Sequence, residues 1–191
     1  MALARRTAVR PKPPRARTGS NPQDVLDLLT ADHAEVGGMF RQYDRGPWHA
    51  RRLEKGKLAL RICHALTVHA KIEQEIFYPA VSAVLDGEVD DLLGRANVEH
   101  SGIEALISKV EDTPADDPLF DPMIEVLAAY VARHVRAEEE QLFPRVRHSR
   151  LDLLGTGERL AARKMELSTA RGGKQLFRQA RKVMGRKKSL G

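Results

Sequence analysis

Apolar residues recur along this chain in steps of three and four over four long stretches, and no stretch shows the strict period-two alternation of a half-buried strand. The first stretch follows Asn21, Pro22 and Asp24, which read as a cap-type residue, a proline at the first helical position and an acid in the first turn. Val25, Leu28, Leu29, Val36, Met39 and Phe40 mark its inner side, and Arg45, Gly46 and Pro47 close it. The second runs over residues 51–84, with Leu53, Leu58, Leu60, Ile62, Leu66, Ile72, Ile76 and Phe77 inward, and ends at Asp86-Gly87. A third covers residues 88–111. The loop TPADDP, residues 113–118, then opens a fourth that reaches Arg147. Four helices joined by short connections predict an all-α fold, an antiparallel up-and-down four-helix bundle over residues 21–150.

The inward stripes are not purely apolar. His69 and Glu73 share a helical face, and so do His134 and Glu138, because residues four apart stack on one side of a helix. The two pairs belong to a repeat. A shift of 65 residues superposes His69, Glu73, Glu75, Tyr78, Pro79 and Val81 on His134, Glu138, Glu140, Phe143, Pro144 and Val146. A shift of 67 superposes Asp32-His33 on Glu99-His100 and Val36 on Ile103. Each half of the bundle is thus a helical hairpin with one histidine on its first arm and His-x-x-x-Glu on its second.

Burying carboxylates and imidazoles without partners costs several kcal/mol for each charge, whereas a shared cation turns them into a bonded shell. His33, His69, His100 and His134 with Glu73 and Glu138 supply enough donors for two metal ions, each taking two imidazoles and sharing the carboxylates. Nitrogen and oxygen donors do not by themselves choose among iron, zinc, manganese and copper. The lone Cys63 offers no thiolate set for structural zinc. His49, His64 and His148 stand outside the repeat and are not expected to be ligands.

The order His, His-x-x-x-Glu, His, His-x-x-x-Glu resembles the hemerythrin-like, or HHE cation-binding, family over about residues 22–150. That resemblance implies a four-helix bundle around two non-haem iron ions joined by an oxo or hydroxo bridge. His33, His69, His100 and His134 would be terminal ligands, and Glu73 and Glu138 would bridge. Oxygen-carrying members have a further histidine four residues beyond the third-arm ligand, where this chain has Glu104, so simple reversible oxygen carriage is not implied. Glu104 could be a ligand, an outer hydrogen-bond acceptor or a solvated residue. Tyr130, four residues before His134, could bond to a ligand or pack in the core. Gly37 leaves the first arm without a second ligand.

Charge changes the picture at the ends. The net +6 is made of +6 in residues 1–20 and +8 in residues 151–191, leaving −8 in the middle. Residues 1–20, rich in Pro and Arg, are expected to be disordered. Residues 151–191 are expected to be a basic tail in which Leu176, Phe177, Ala180, Val183 and Met184 fall on one arc of a short amphipathic helix. It suits an anionic membrane, a partner groove or nucleic acid. The first twenty residues lack an apolar leader core and no run of about 18 apolar residues could span a bilayer, so a cytoplasmic protein is expected. No phosphate-cradling glycine loop or dinucleotide fingerprint is present. The sequence points to a di-iron protein that binds or senses O2, NO or peroxide, with two alternatives: turnover of peroxide or NO, and a metal-binding module whose basic tail binds membrane, partner or nucleic acid.

Overall fold

The structure is a computed structural model that describes residues 23–48, 51–85, 87 and 89–186, with side chains described as far as Thr169. The basic segment 1–20 lies outside the described residues, as do the side chains of the C-terminal amphipathic stretch. Among the described residues there is no strand. The elements are α1 (Val25–Arg45), α2 (Arg52–Ile72), π1 (Glu73–Phe77), α3 (Tyr78–Leu85), α4 (Asp90–Asp112), α5 (Phe120–Ala137), π2 (Glu138–Leu142), α6 (Phe143–Arg147) and α7 (Leu153–Arg186). Here π1 and π2 are wide helical turns that join α2 to α3 and α5 to α6 without a break, so four arms precede α7.

The first arm starts three residues later than its proline suggested. Asp24 is the cap, in extended conformation, and its side chain accepts the Asp27 N–H at 2.9 Å. Arg147 at the end of α6 bonds to the same carboxylate at 2.9 Å, which ties the fourth arm to the start of the first.

The wide turns were not expected, and proline accounts for them. Pro79 and Pro144 have no N–H, and in a regular helix each ring would press on the carbonyl four residues back, that of Glu75 or Glu140. Just before each proline the helix widens, with Tyr78 N–H donating to Glu73 O and Phe143 N–H to Glu138 O. Each wide turn begins at the glutamate of a His-x-x-x-Glu pair, where such turns often accompany function.

Two apolar clusters fill the interior, one built on Val36, Leu66, Ile103 and Val131, the other on Leu29, Ile72, Ala96 and Leu142. Between them lies a layer of buried polar groups. The chain passes from the second cluster through a histidine to the first along α1 and α4, and in the opposite order along α2 and α5. α1 packs on α2, α4 on α5, α2 on α4 and α1 on α5. Of the apolar positions assigned inward, Leu53 is the exception: it sits 60% exposed in the first turn of α2, before that arm reaches its neighbours. Trp48 packs at the end of the first cluster, beside Tyr43. Below it Lys55 and the Tyr43 hydroxyl both bond to Asp121 at 2.6 Å, clasping α1, α2 and α5 together.

Residues 153–169 are part of the packed body and not a loose tail. Leu160 is fully buried, and a Cβ at Gly157 would strike the Gln23 carbonyl and Val25 nitrogen, so α7 approaches the start of α1 as closely as glycine permits. Arg163 bonds to Glu75 at 2.7 Å, and Lys164 reaches Asp32.

Candidate metal centre

Four arms each bring one histidine to the layer between the two clusters. His33 comes from α1, His69 from α2, His100 from α4 and His134 from α5; Glu73 and Glu138 open the two wide turns. All six are buried. The Nε2 atoms of His33 and His69 lie 3.1 Å apart, and those of His100 and His134 lie 3.0 Å apart. Glu73 Oε2 stands 3.2 Å from His69 Nε2 and 3.3 Å from His100 Nε2, between the two imidazole pairs. Glu138 Oε2 lies 3.4 Å from both His33 Nε2 and His134 Nε2.

The opposite ring nitrogens face outward, each toward a polar partner. His33 Nδ1 meets Glu139 Oε1 at 2.8 Å, and His134 Nδ1 meets Glu99 Oε2 at 3.2 Å. His69 Nδ1 lies 3.5 Å from Asp32 Oδ2, and His100 Nδ1 lies 3.3 Å from Gln74 Nε2. A carboxylate beside Nδ1 holds the proton there, which fixes the tautomer and leaves the Nε2 lone pair pointing inward. Asp32 and Glu99 are in turn held by Lys164 and by Arg133.

This arrangement fits a cation better than it fits an empty polar core. Lone pairs on two imidazoles 3.0 to 3.1 Å apart repel unless a proton or a metal lies between them. Neither oxygen of Glu73 accepts a hydrogen bond, nor does Oε2 of Glu138, although all three are buried. Two sets of donor atoms converge closely enough to hold an ion: His33, His69, Glu73 and Glu138 form one, and Glu73, His100 and His134 the other. Glu73 belongs to both. Without metal, protons take over part of this role. Burial opposes charge on His69, but the Glu73 carboxylate and the Asp32 carboxylate facing Nδ1 outweigh it and push the imidazole up to about 10. His134 is raised in the same way, with burial again opposing and Glu73 and Glu138 prevailing. Glu73 is held well below the usual carboxylate range: burial works against this, and His69, His100 and His134 override it.

Aromatic rings back two of the histidines. Phe143 stacks on His33 with centroids 5.8 Å apart, and Tyr78 stacks on His100 at 5.7 Å. Tyr78 also donates its hydroxyl proton to Glu138 Oε1 at 2.8 Å. That hydroxyl is held protonated, by burial and by the two glutamates facing it.

The two additional candidates do not join the centre. Glu104 points to solvent because the inward position on that turn of α4 belongs to Ile103. Tyr130 is 41% exposed and lies along the outside of the α4/α5 seam, with its ring near Gly102 and 5.4 Å from the Arg133 guanidinium. The tyrosine at the centre is Tyr78. The repeat marked it as the partner of Phe143, but nothing local distinguished it from a core aromatic. His64 and His148 lie outside both donor sets, and His49 lies outside the described residues. The Cys63 thiol is pushed up to about 12 by burial, which leaves it protonated and inert.

Residues 24–146 match the hemerythrin HHE cation-binding domain, and the chain belongs to that family. It is 28% identical over 134 residues to a DNA nickase of Nostoc sp.; the match covers 69% of this chain but only 36% of that much longer protein. It is 24% identical to an uncharacterized Mycobacterium tuberculosis protein, Rv2633c, over 73% of this chain and 84% of that one. The fold matches the crystal structure of an HHE domain-containing Rv2633c homolog from Mycobacterium kansasii with a TM-score of 0.65 and 23% identity, covering 78% of this chain and 89% of the other. The chain is therefore a metal-binding, hemerythrin-like helical protein. No described helix is long and apolar enough to cross a membrane.

Proposed function

We propose that the chain holds two iron ions at this centre and uses them to bind or sense O2, NO or peroxide in the cytoplasm. His33, His69 and Glu138 would hold one ion, His100 and His134 the other, and Glu73 would be shared between them. The observation that carries the reading is the pair of donor sets meeting at Glu73, whose two buried oxygens have no other partner. Iron in such a ligand set supplies reversible redox chemistry and an affinity for small oxygen- and nitrogen-containing ligands. The up-and-down order of the four arms is supported by the alternation in which each arm meets the two apolar clusters.

The size of the guest follows from the wall. Val36, Leu66, Ile103 and Val131 line a cavity beside the histidines in which the centre of a water-sized guest has about 20 Å³ to move. A diatomic molecule or peroxide fits there, and a larger substrate does not. The chain's own groups orient and protect: the carboxylates at Nδ1 fix the imidazoles, the apolar wall limits water, and the Tyr78 hydroxyl keeps a proton on hand at Glu138.

The test is anaerobic reloading of metal-stripped protein with ferrous iron, followed by stopped-flow mixing with O2, NO or peroxide. The reading expects a spectral change with each ligand that binds and no change in protein lacking Glu73. A colourless product with every ligand would contradict it. Sustained evolution of O2 from peroxide would favour turnover over sensing.

A further inference from the structure

The middle of the chain is acidic overall, yet one end of the folded body is not. An open groove of about 830 Å³ lies between the last turns of α1 and the first turns of α2. Its walls carry Arg41 and Arg45 from α1, and Arg51, Lys57 and Arg61 from the approach to α2 and its opening turns. Glu54 is the one acid among the lining residues. All five cations are exposed, and none makes an ion pair with a described residue. Arg41 and Arg45, like Lys57 and Arg61, are one helical turn apart, so each wall presents positive charge about every 6 Å.

The floor of the groove adds an aromatic ring. Trp48 is among its lining residues and is half-buried. Its indole N–H is bonded to the Tyr43 carbonyl, and a Cβ at Gly46 would collide with the ring, so the loop is shaped to hold the indole in place.

A second basic element runs toward the same end. Gly157 lies against Gln23 and Val25, and Lys164 against Asp32, so α7 advances beside α1 in the same direction. Carried on at about 1.5 Å per residue, the backbone of residues 171–178 comes level with residues 39–46, where the groove lies. Residues 171–186 contain Arg171, Lys174, Arg178, Arg181, Lys182 and Arg186 and no acid.

We propose that this groove binds single-stranded nucleic acid along its phosphate backbone, with Trp48 as a stacking surface. A thin polyanion can enter a concave channel with cations on both walls; a flat bilayer cannot. Cationic walls with an aromatic ring between them are the usual means of holding a single strand without reading its sequence.

The full chain is titrated with fluorescein-labelled oligo-dT by anisotropy across a salt series, and the fluorescence of Trp48, the only tryptophan, is followed in parallel. Vesicles of phosphatidylglycerol and phosphatidylcholine form a separate arm. Binding that weakens with salt and quenches Trp48 is expected. The triple substitution Arg41→Glu, Arg45→Glu, Arg61→Glu should lower affinity on the order of tenfold and reduce the salt slope by about 2, near 0.7 for each lost phosphate contact. Metal content and helical signal should stay unchanged in that variant, which separates this test from that of the metal centre. The proposal is overturned if the oligonucleotide does not bind, if the triple variant binds with unaltered affinity and slope, if binding leaves Trp48 unquenched, or if the chain binds vesicles and not the oligonucleotide.

Discussion

The two halves of the centre are copies that differ at three places, and the differences explain more than the likeness does. In each half an acid on the first arm, Asp32 or Glu99, faces Nδ1 of the second-arm histidine, and a residue of the opposite half's wide turn faces Nδ1 of the first-arm histidine. That last residue is Glu139 for His33 but Gln74 for His100. The stacked ring is Phe143 on His33 but Tyr78 on His100. The cation behind the first-arm acid comes from α7, as Lys164, in one half and from α5 within the bundle, as Arg133, in the other.

One of these changes decides how the carboxylates are used. Tyr78 has a hydroxyl and occupies one oxygen of Glu138; Phe143 has none, and no hydroxyl donates to either oxygen of Glu73. The two carboxylates are thereby set apart: Glu138 is tied to Tyr78 through Oε1 and faces both imidazole pairs with Oε2 alone. Gln74 in place of Glu139 removes a negative charge from the His100 side, so the His33 side is the more electron-rich of the two.

Substitutions that act on one half sharpen this contrast. The largest effect is expected for Glu73→Ala, which removes the one ligand common to both donor sets. Metal content should fall to near zero, and the loss of a buried charge partner should cost about 3 to 5 kcal/mol of stability by denaturant titration. Glu138→Ala should retain more metal than Glu73→Ala, and equal losses would break the asymmetry. Next is Asp32→Ala, expected to weaken metal affinity by about 10- to 100-fold in competition with a chelator, as outer partners of ligating histidines do. Gln74→Ala, which removes only a neutral partner, should do less.

A smaller effect is expected from exchanging the two rings. Tyr78→Phe leaves Glu138 Oε1 without its donor, at a cost of about 1 to 3 kcal/mol in unfolding. Phe143→Tyr places a hydroxyl near the oxygens of Glu73 that the ions need. Tyr78→Phe should preserve metal stoichiometry while Phe143→Tyr lowers it, as read by metal analysis; the reverse ranking would refute the reading of the pair.

The gentlest probe is pH. His69 is raised to about 10 in the metal-free protein, so an incoming ion must displace a proton anywhere below that value. Affinity should climb with pH by about tenfold per unit for one displaced proton, and keep climbing toward 10. An ordinary imidazole would instead level off above about 6.5. A titration of metal affinity against pH distinguishes the two.

The six inner residues were legible in the sequence because they sit in register in both halves and interrupt apolar stripes. Their outer partners were written there too, since Asp32 aligns with Glu99 and Gln74 with Glu139. Their roles were hidden because two of these contacts cross between the halves, His33 to Glu139 over 106 residues and His100 to Gln74 over 26. Periodicity reports which face of a helix a residue occupies, not which neighbour it meets. Glu104 shows the same limit: four residues after His100 is the same face in an ideal helix, but in the packed body Ile103 takes the inward place. The wide turns escaped notice because a proline inside a helix announces a disturbance without saying whether it will kink, break or widen. A short helix was expected in the second half of α7, but the packing of its first half was hidden because basic composition outweighed the few residues, Thr156, Gly157 and Leu160, that seat it.

The most direct measurement of the central claim is the number and kind of metal ions per chain in protein purified from iron-replete cells, taken together with its visible absorption. Two irons per chain and a coloured protein are expected, with both lost in Glu73→Ala. One ion per chain, or a colourless protein carrying zinc at full occupancy, would contradict it.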